Sequence, residues 1–524
     1  MLLSIILKTL QPMGFWPLYI LIFMEQIPIL RKRSFKCFLR WPTVVGPYQP
    51  PCNSVLAKNK AEIIHKRNNS FHNIIPEEFM LIINATLVTW EKPNRFLPNW
   101  SINIHNGIIS DLGPESELKQ RYPDAEIIDA GGQLVLPGNI CAHTHFYGTF
   151  SRGMAIPGNA PANFSQILDK LWWPLDKSLT AEDVRYSALV CLVDAIKHGT
   201  TTLIDHHASP NFIDGSLDVI AEAVEQSGLR TALCYEVSDR DGVEKAKAGI
   251  AENVRFIKSI KGRSDKLAAT FGLHAALTLS DDTLERCRAS VGVDVGFHTH
   301  LSESKDDGRE VQNKSGLRPV HWLNKHGILG KHSIAAHCIH VDESEMDILA
   351  QTGTWVTHQP RSNMNNAVGV SPVEKMLNKG IKVCLGNDGF SNTMWEEWKA
   401  AYLVHKLQSG DPRSMGGYTV TDMAIYNNAA LANDLFPVEV GILKTGAAAD
   451  LMFVDYEPPT PLTEGNLPWH ILFGFRDSMV TTTIVGGKVL MKDRQLITLD
   501  EKEIAVKARE FATQVWNRYS EKFL

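Results

Sequence analysis

The sequence predicts an α/β protein built on a (β/α)8 TIM barrel. A small split β-sandwich formed by both flanks accompanies it, with an N-terminal extension ahead. Three observations predict this. A long middle region alternates eight strand-like segments with helical ones. Short strands with turn signals stand on both sides of it. The eight middle strands end in His143, Asp205, Glu236, His274, His300, His337, His358 and Asp388. That is the pattern of a barrel, which gathers its chemistry at the C-terminal ends of its strands.

The 524 residues are enough for a large core and an accessory module. With 44% hydrophobic and 21% charged residues, the chain is not mainly disordered, collagenous or multi-span. A net charge of −5 gives no reason to expect a nucleic-acid partner. The charge is uneven: residues 1–79 carry +6 and the remainder −11. The eight cysteines form no CxxC pair. Cys191 and Cys384 sit in apolar runs and read as small core residues, which fits a reducing, cytoplasmic setting.

The elements follow in order. Met1–Met24 is apolar, but Lys8, Pro12 and Pro17 interrupt it, short of the ~20 residues a bilayer span needs. Residues 1–60 hold eight basic side chains and only Glu25 as an acid, as transit peptides do. Residues 1–79 are therefore expected to be an extension: an unstructured leader or a misplaced start, with targeting as the alternative. There is no firm sign of a membrane role.

Strands are expected at Met80–Thr89, Ser101–His105 and Gln133–Leu136, with Asn106-Gly107 as a hairpin turn. A matching group returns at Asp450–Val454, Ser478–Val485 and Lys488–Met491. Residues 80–137 and 437–499 are thus expected to build one composite sandwich. Residues 138–436 would form the barrel and 500–524 a closing helix. Its strands are Asn139–His143, Thr200–Asp205, Arg230–Glu236, Ala268–His274, Asp294–His300, Ser333–His337, Thr354–His358 and Lys382–Asp388. Helices such as Glu182–His198, behind the N-cap Thr180 and ended by Gly199, lie between them.

His143 and His145 stand two apart on a strand, so both imidazoles reach one side. From His143 to His300, His337 and Asp388 the successive separations are 157, 37 and 51 residues. At ~30–40 residues per unit, these groups meet at one mouth from strands one, five, six and eight. Imidazoles with a carboxylate suit Zn²⁺, with Fe²⁺ or Mn²⁺ also possible ions. Such an ion can supply hydroxide from water at neutral pH.

At these residues the chain resembles the amidohydrolase superfamily, in its mononuclear deaminase branch. Leu136-Pro-Gly138, Ser151-Arg-Gly153, Gly199-Thr-Thr-Thr202, Arg361-Ser-Asn363 and Leu385-Gly-Asn-Asp-Gly389 resemble its chlorohydrolase/guanine-deaminase-like (ATZ/TRZ) group. Trp172-Trp173, Asp205-His-His-Ala-Ser-Pro210 and Arg361-Ser-Asn-Met-Asn-Asn366 are similar to the SsnA-type aminohydrolases. The likeness spans essentially 80–524.

It implies that His143, His145, His300 and Asp388 bind one divalent metal. His337 would hold the attacking water or the oxygen it becomes. Glu303 would carry a proton to a ring nitrogen, and Asp388 would take one from the water and help pass it to ammonia. A general acid is chemically needed, because a conjugated C–NH₂ is a poor electrophile until its ring nitrogen is protonated. Dinuclear relatives carry a modified lysine at the end of strand four. Here Lys266 precedes that strand, so one metal is expected.

On the substrate side the candidates are His274, Arg361, His207, Arg152 and Trp173. Alternation lets only one of His206 and His207 face inward. Asn387 and Gln359 depart from the group's usual Thr and Asn. The loop after Gly153 lacks the acids that the group's adenosine-type deaminases carry there, which argues against an adenosine-like substrate. The expected activity is hydrolytic deamination of a purine-like or related N-heterocycle with ammonia release. The alternative is hydrolysis of a cyclic amide or a C–Cl bond. The resemblance also implies a homodimer and a small heterocyclic substrate.

Overall fold

The structure, a computed structural model, describes residues 79–523. Apart from Phe79, the expected extension over 1–79 lies outside the described residues.

The first strands are β1 (Phe79–Val88), β2 (Phe96–His105), β3 (Ile108–Pro114), β4 (Glu126–Asp129) and β5 (Leu134–Pro137). Asn84, at φ 52°, breaks the register of β1. Its first half therefore pairs with β4 and its second half with β5. Asn106 and Gly107, both at positive φ, turn β2 into β3 as the sequence signalled.

The barrel strands are β6 (Asn139–Thr144), β7 (Thr200–Asp205), β8 (Arg230–Leu233), β9 (Leu267–Ala269), β10 (Phe271–Ala275), β11 (Phe297–Leu301), β12 (Ile334–His337), β13 (Trp355–His358) and β14 (Val383–Leu385). β6 to β9 form one parallel sheet and β10 to β14 another. Parallel bridges Val237↔Leu273 and Thr144↔Asp388 join the two sheets at both seams. Eight strand positions result. The fourth, expected as one strand, is two short ones broken at Thr270. Several strands are also shorter than expected: β8 stops three residues before Glu236, and β14 three before Asp388.

The chain ends with β15 (Leu451–Val454), β16 (Val480–Val485), β17 (Lys488–Lys492), β18 (Gln495–Leu496) and the helix Glu501–Glu521. β15 pairs antiparallel with β5, so both flanks join in a single nine-stranded mixed sheet. Ile82, Leu87, Ile104, Val135, Leu451, Phe453 and Ile484 share one apolar cluster there, which is why two distant stretches of chain fold together.

A second cluster joins Ile140, Ala142, Ile204, Ala232, Ala268, Ile334, Trp355 and Cys384 from the barrel strands to Leu431 and Ala432 of the helix Asn428–Leu435. The seam between β14 and β6 depends on Gly386, whose Cβ would lie 2.7 Å from both the N and O of His143. All six described cysteines are free. Among the described residues no helix is long and apolar enough to cross a membrane.

Candidate active site

Three imidazoles are held by their inner nitrogens. His145 Nδ1 donates to the carbonyl of His206 at 2.6 Å, and His300 Nδ1 to the carbonyl of His274 at 2.8 Å. A carbonyl only accepts, so in both rings Nδ1 carries a proton, and in the neutral ring Nε2 presents a lone pair. His143 Nδ1 lies 2.8 Å from His298 Nε2, and its own Nε2 is buried without a partner. His145 Nε2 and His300 Nε2 stand 3.1 Å apart, lone pair against lone pair. Asp388 Oδ1 lies 3.0 Å from His145 Nε2 and 3.6 Å from His143 Nε2. Such an arrangement is repulsive unless a cation is shared between the lone pairs, and the donor set fits a divalent metal. Nitrogens of His143, His145 and His300 all lie within 4.8 Å of one another, as do ligand atoms of His143, His337 and Asp388.

The electrostatics agree. Burial pushes the Asp388 carboxyl up, but the neighbouring His143 and His145 rings overrule it and hold it well below the carboxylate range. Burial opposes a charge on His145 too, yet Asp388 pushes that ring up to about 9. Burial takes His143 down to about 3 against the pull of Asp388. The carboxylate thus calls for one positive charge among these rings.

Backbone geometry aims two of the groups. Asp388 and His337 have φ of 57° and 71°, left-handed values that non-glycine residues rarely adopt. At Asp388 the N–H donates to the His143 carbonyl (3.1 Å), and its own carbonyl accepts from the N–H of His145 (3.1 Å) and the hydroxyl of Thr144 (3.0 Å). At His337 the N–H donates to Gln359 Oε1 (3.1 Å), and Gln359 Nε2 donates to Thr357 (2.6 Å). Gln359, a departure from the group's pattern, therefore still supports the site. Asn387 anchors the loop beyond by donating to Ser391 and Asn392.

Glu303 follows β11 and is 7% exposed. Its Oε2 lies 3.5 Å from His337 Nε2, and its Oε1 accepts from Asn366 Nδ2 at 3.4 Å. Burial, then the nearby Asp388 charge, push its carboxyl well above the usual range. Two carboxyl groups at one site are thus driven apart, one kept protonated and one ionised. That is the signature of an acid and a base in named places. The His337 ring is held from behind by Asn363 (2.9 Å), and the Ser362 hydroxyl donates to Asp388.

These groups open on a cavity of about 430 Å³, a size that suits a small ligand. Tyr147, Phe164, Leu168, Trp172, Trp173 and Phe390 give it apolar walls. Of the expected substrate-side residues, His274, Arg152 and Trp173 line it.

Two others are not brought there. The Arg361 guanidinium is bound by Glu397, Glu396 and the Ser391 carbonyl. Glu397 is fully buried, so Arg361 is needed where it stands. His207 is tied to the Ser209 hydroxyl (2.9 Å), and it is His206 whose Nδ1 turns toward the site, 3.3 Å from Glu236. Replacing Arg361 with Met is expected to cost about 3 kcal/mol of stability, because it strands a buried carboxylate. Chemical denaturation measures this; a change in KM at full stability would restore Arg361 to the substrate side.

Sequence reasoning missed Glu236, Arg240, Ser362 and Asn366. The last two lay inside the quoted Arg361–Asn366 motif, whose work was assigned to its arginine.

Residues 134–490 match the amidohydrolase family. The 5'-deoxyadenosine deaminase of Methanosarcina mazei is 32% identical over 442 residues, 83% of this chain and 98% of that protein. The 5-methylthioadenosine/S-adenosylhomocysteine deaminase of Pelotomaculum thermopropionicum is 32% identical over 446 residues, 84% of this chain and 99% of that one. Among solved structures, an adenosine deaminase from Xanthomonas campestris with bound zinc superposes with a TM-score of 0.74. It has 22% identity and covers 83% of this chain and 98% of that one. The atrazine chlorohydrolase TrzN from Arthrobacter aurescens, complexed with zinc, gives 0.69 at 21% identity, covering 83% and 100%.

Proposed function

The chain belongs to the amidohydrolase family, and we propose that it is a metal-dependent deaminase of adenine-type nucleosides, releasing ammonia. One observation carries the reading: the buried Glu303 carboxyl, 3.5 Å from His337 and held above its ordinary range, shares a three-histidine cage with Asp388, which is held below its own. The 32% identical relatives named for 5'-deoxyadenosine and 5-methylthioadenosine support the substrate class. The expectation drawn against an adenosine-like substrate from the loop after Gly153 is thereby reversed.

His143, His145, His300 and Asp388 would hold the metal, Zn²⁺ by their chemistry and by the neighbours' bound zinc. A divalent ion there supplies Lewis acidity to the attacking water. The chain's own groups do the rest. The Glu303 carboxyl gives its proton to the ring nitrogen next to the amino-bearing carbon, which makes that carbon electrophilic. The Asp388 carboxylate, steadied by the Ser362 hydroxyl, takes a proton from the water as the C–O bond forms. His337 holds the new oxygen. As the C–N bond breaks, that proton passes on to the departing amine, the remaining hydroxyl proton returns to the Glu303 carboxylate as the carbonyl forms, and the product is the lactam plus ammonia. Apolar walls keep other water from competing.

Within the family, the motifs Trp172-Trp173, Asp205–Pro210 and Arg361–Asn366 support an SsnA-type subgroup. A cytoplasmic homodimer completes the reading. For the dimer the support is an exposed apolar group of Leu403, Leu407, Tyr418, Trp469 and Phe473 on three neighbouring helices.

Ammonia release from the zinc-loaded full chain over adenine nucleosides, guanine, cyclic amides and chlorotriazines tests the proposal. Ammonia from 5'-deoxyadenosine or 5'-methylthioadenosine is expected. Ring opening or chloride release without ammonia would favour the alternative hydrolysis.

A further inference from the structure

One wall of the cavity is made of groups that the reaction leaves unused. Glu236 follows β8, its side chain is 2% exposed, and it lines the cavity. Its Oε2 is buried, 3.3 Å from His206 Nδ1 and without a hydrogen bond. Its Oε1 lies 3.8 Å from His274 Nε2 and 3.9 Å from Arg240 Nη2. Arg240 Nη2 is already taken by Asp176 and Nε lies 3.5 Å from Asp241, so one guanidinium serves three carboxylates. Burial pushes the Glu236 carboxyl up, but the neighbouring His274, then His206 and Arg240, overrule it and hold it below the usual carboxylate range.

His274 has a readable tautomer. Thr278 donates its single hydroxyl proton to the Ala275 carbonyl (3.1 Å). That oxygen can then only accept from His274 Nδ1, at 2.7 Å. His274 Nε2 is left as a lone pair beside the Glu236 carboxylate. Two acceptors 3.8 Å apart face a cavity with no donor between them. The donors for both must come from what fills the cavity, solvent or a ligand.

This inference rests on the nucleoside reading above. An adenine substituted at its sugar-bearing nitrogen has three acceptor nitrogens free. Its only N–H donors are on the amine that leaves. The remaining donors of such a substrate are its ribose hydroxyls.

We propose that Glu236, with His274 beside it, binds the vicinal hydroxyls of the substrate's ribose, each O–H donating to a carboxylate oxygen or to His274 Nε2. Glu236 is then the residue by which the enzyme selects a ribonucleoside over a deoxy sugar or a free base. The rigid floor of β8 and the Arg240–Asp176 pair fix the carboxylate in place before substrate arrives.

The test compares 5'-deoxyadenosine with its 2',3'-dideoxy counterpart on the zinc-loaded full chain, wild type and Glu236→Gln. The wild type is expected to prefer the diol by about 100-fold in kcat/KM, since hydrogen bonds to a buried charge are lost with the hydroxyls. Glu236→Gln is expected to lose most of that preference, chiefly through KM, while its activity on the dideoxy substrate changes only a few-fold. Zinc content and melting temperature, measured on the same samples, are expected to match the wild type.

A wild type that turns over both substrates equally overturns the assignment and leaves the deaminase reading standing. So does a variant that falls equally on both or loses its zinc, because Glu236 would then be supporting the metal cage through His206 and His274. A wild type that releases ammonia only from heterocycles without a sugar overturns the nucleoside reading and the diol assignment together.

Discussion

Glu303→Gln is expected to retain the bound metal and to lower kcat by about 10²–10⁴-fold, the range that general acid catalysis contributes. The amide matches the carboxyl in shape and can still accept from Asn366 Nδ2, so the fold around it has no reason to change. What it lacks is a transferable proton. Glu303 is buried and sits near the ionised Asp388, which is why its carboxyl holds a proton far above the usual carboxylate range. Steady-state kinetics with metal analysis on one preparation checks this. The KM is expected to move little, because ground-state binding rests on other walls. Full turnover in the variant would remove Glu303 from the reaction.

His300→Ala has the opposite signature: metal is lost first and activity follows. The ring is locked by its Nδ1–H to the His274 carbonyl, so its Nε2 is committed to the cage. Altering groups that only orient a ligand typically costs 10–100-fold in metal affinity, and removing a ligand outright is expected to cost roughly 100-fold or more. Elemental analysis of the purified variant should show well under one equivalent of zinc. Unchanged stoichiometry would mean that the cage is drawn wrongly. The two variants together separate a proton carrier from a ligand, since only His300→Ala empties the site.

Much of this architecture was legible in the sequence, for identifiable reasons. Barrel strands are fully buried apolar runs closed by a polar residue, and that polar residue marks the active mouth. His143, His300 and His337 could be found this way because each ends its run, His145 because it stands two residues past His143, and Asp388 because it follows an apolar run and a glycine. The Asn106-Gly107 turn was legible because it needs two positive φ values, which that dipeptide supplies. That both flanks would build one β unit was expected from two similar strand groups; that β15 pairs directly with β5 in one sheet was not.

What could not be read was the direction of a side chain once the strand had ended. His206 and His207 differ only in which way the chain leaves β7, and the partner that decides, Glu236, arrives from another strand. Arg361 looked like an anion clamp because Glu397, its buried partner, lies 36 residues on in a helix. Glu236 itself appeared as one more strand-ending acid. Its meaning emerges only beside His274 and Arg240, which the fold brings to it. The break at Thr270 was not read from the sequence, which runs Ala268-Ala269-Thr270-Phe271 with no proline or turn dipeptide.

The central claim is that His143, His145, His300 and Asp388 close on a single divalent ion. X-ray absorption of the zinc-loaded full chain tests it most directly. The account predicts one zinc per chain in a shell of three imidazole nitrogens and carboxylate or water oxygen at about 2.0–2.2 Å. A shell containing sulfur, a shell with one imidazole or none, or a chain that holds no zinc would contradict it.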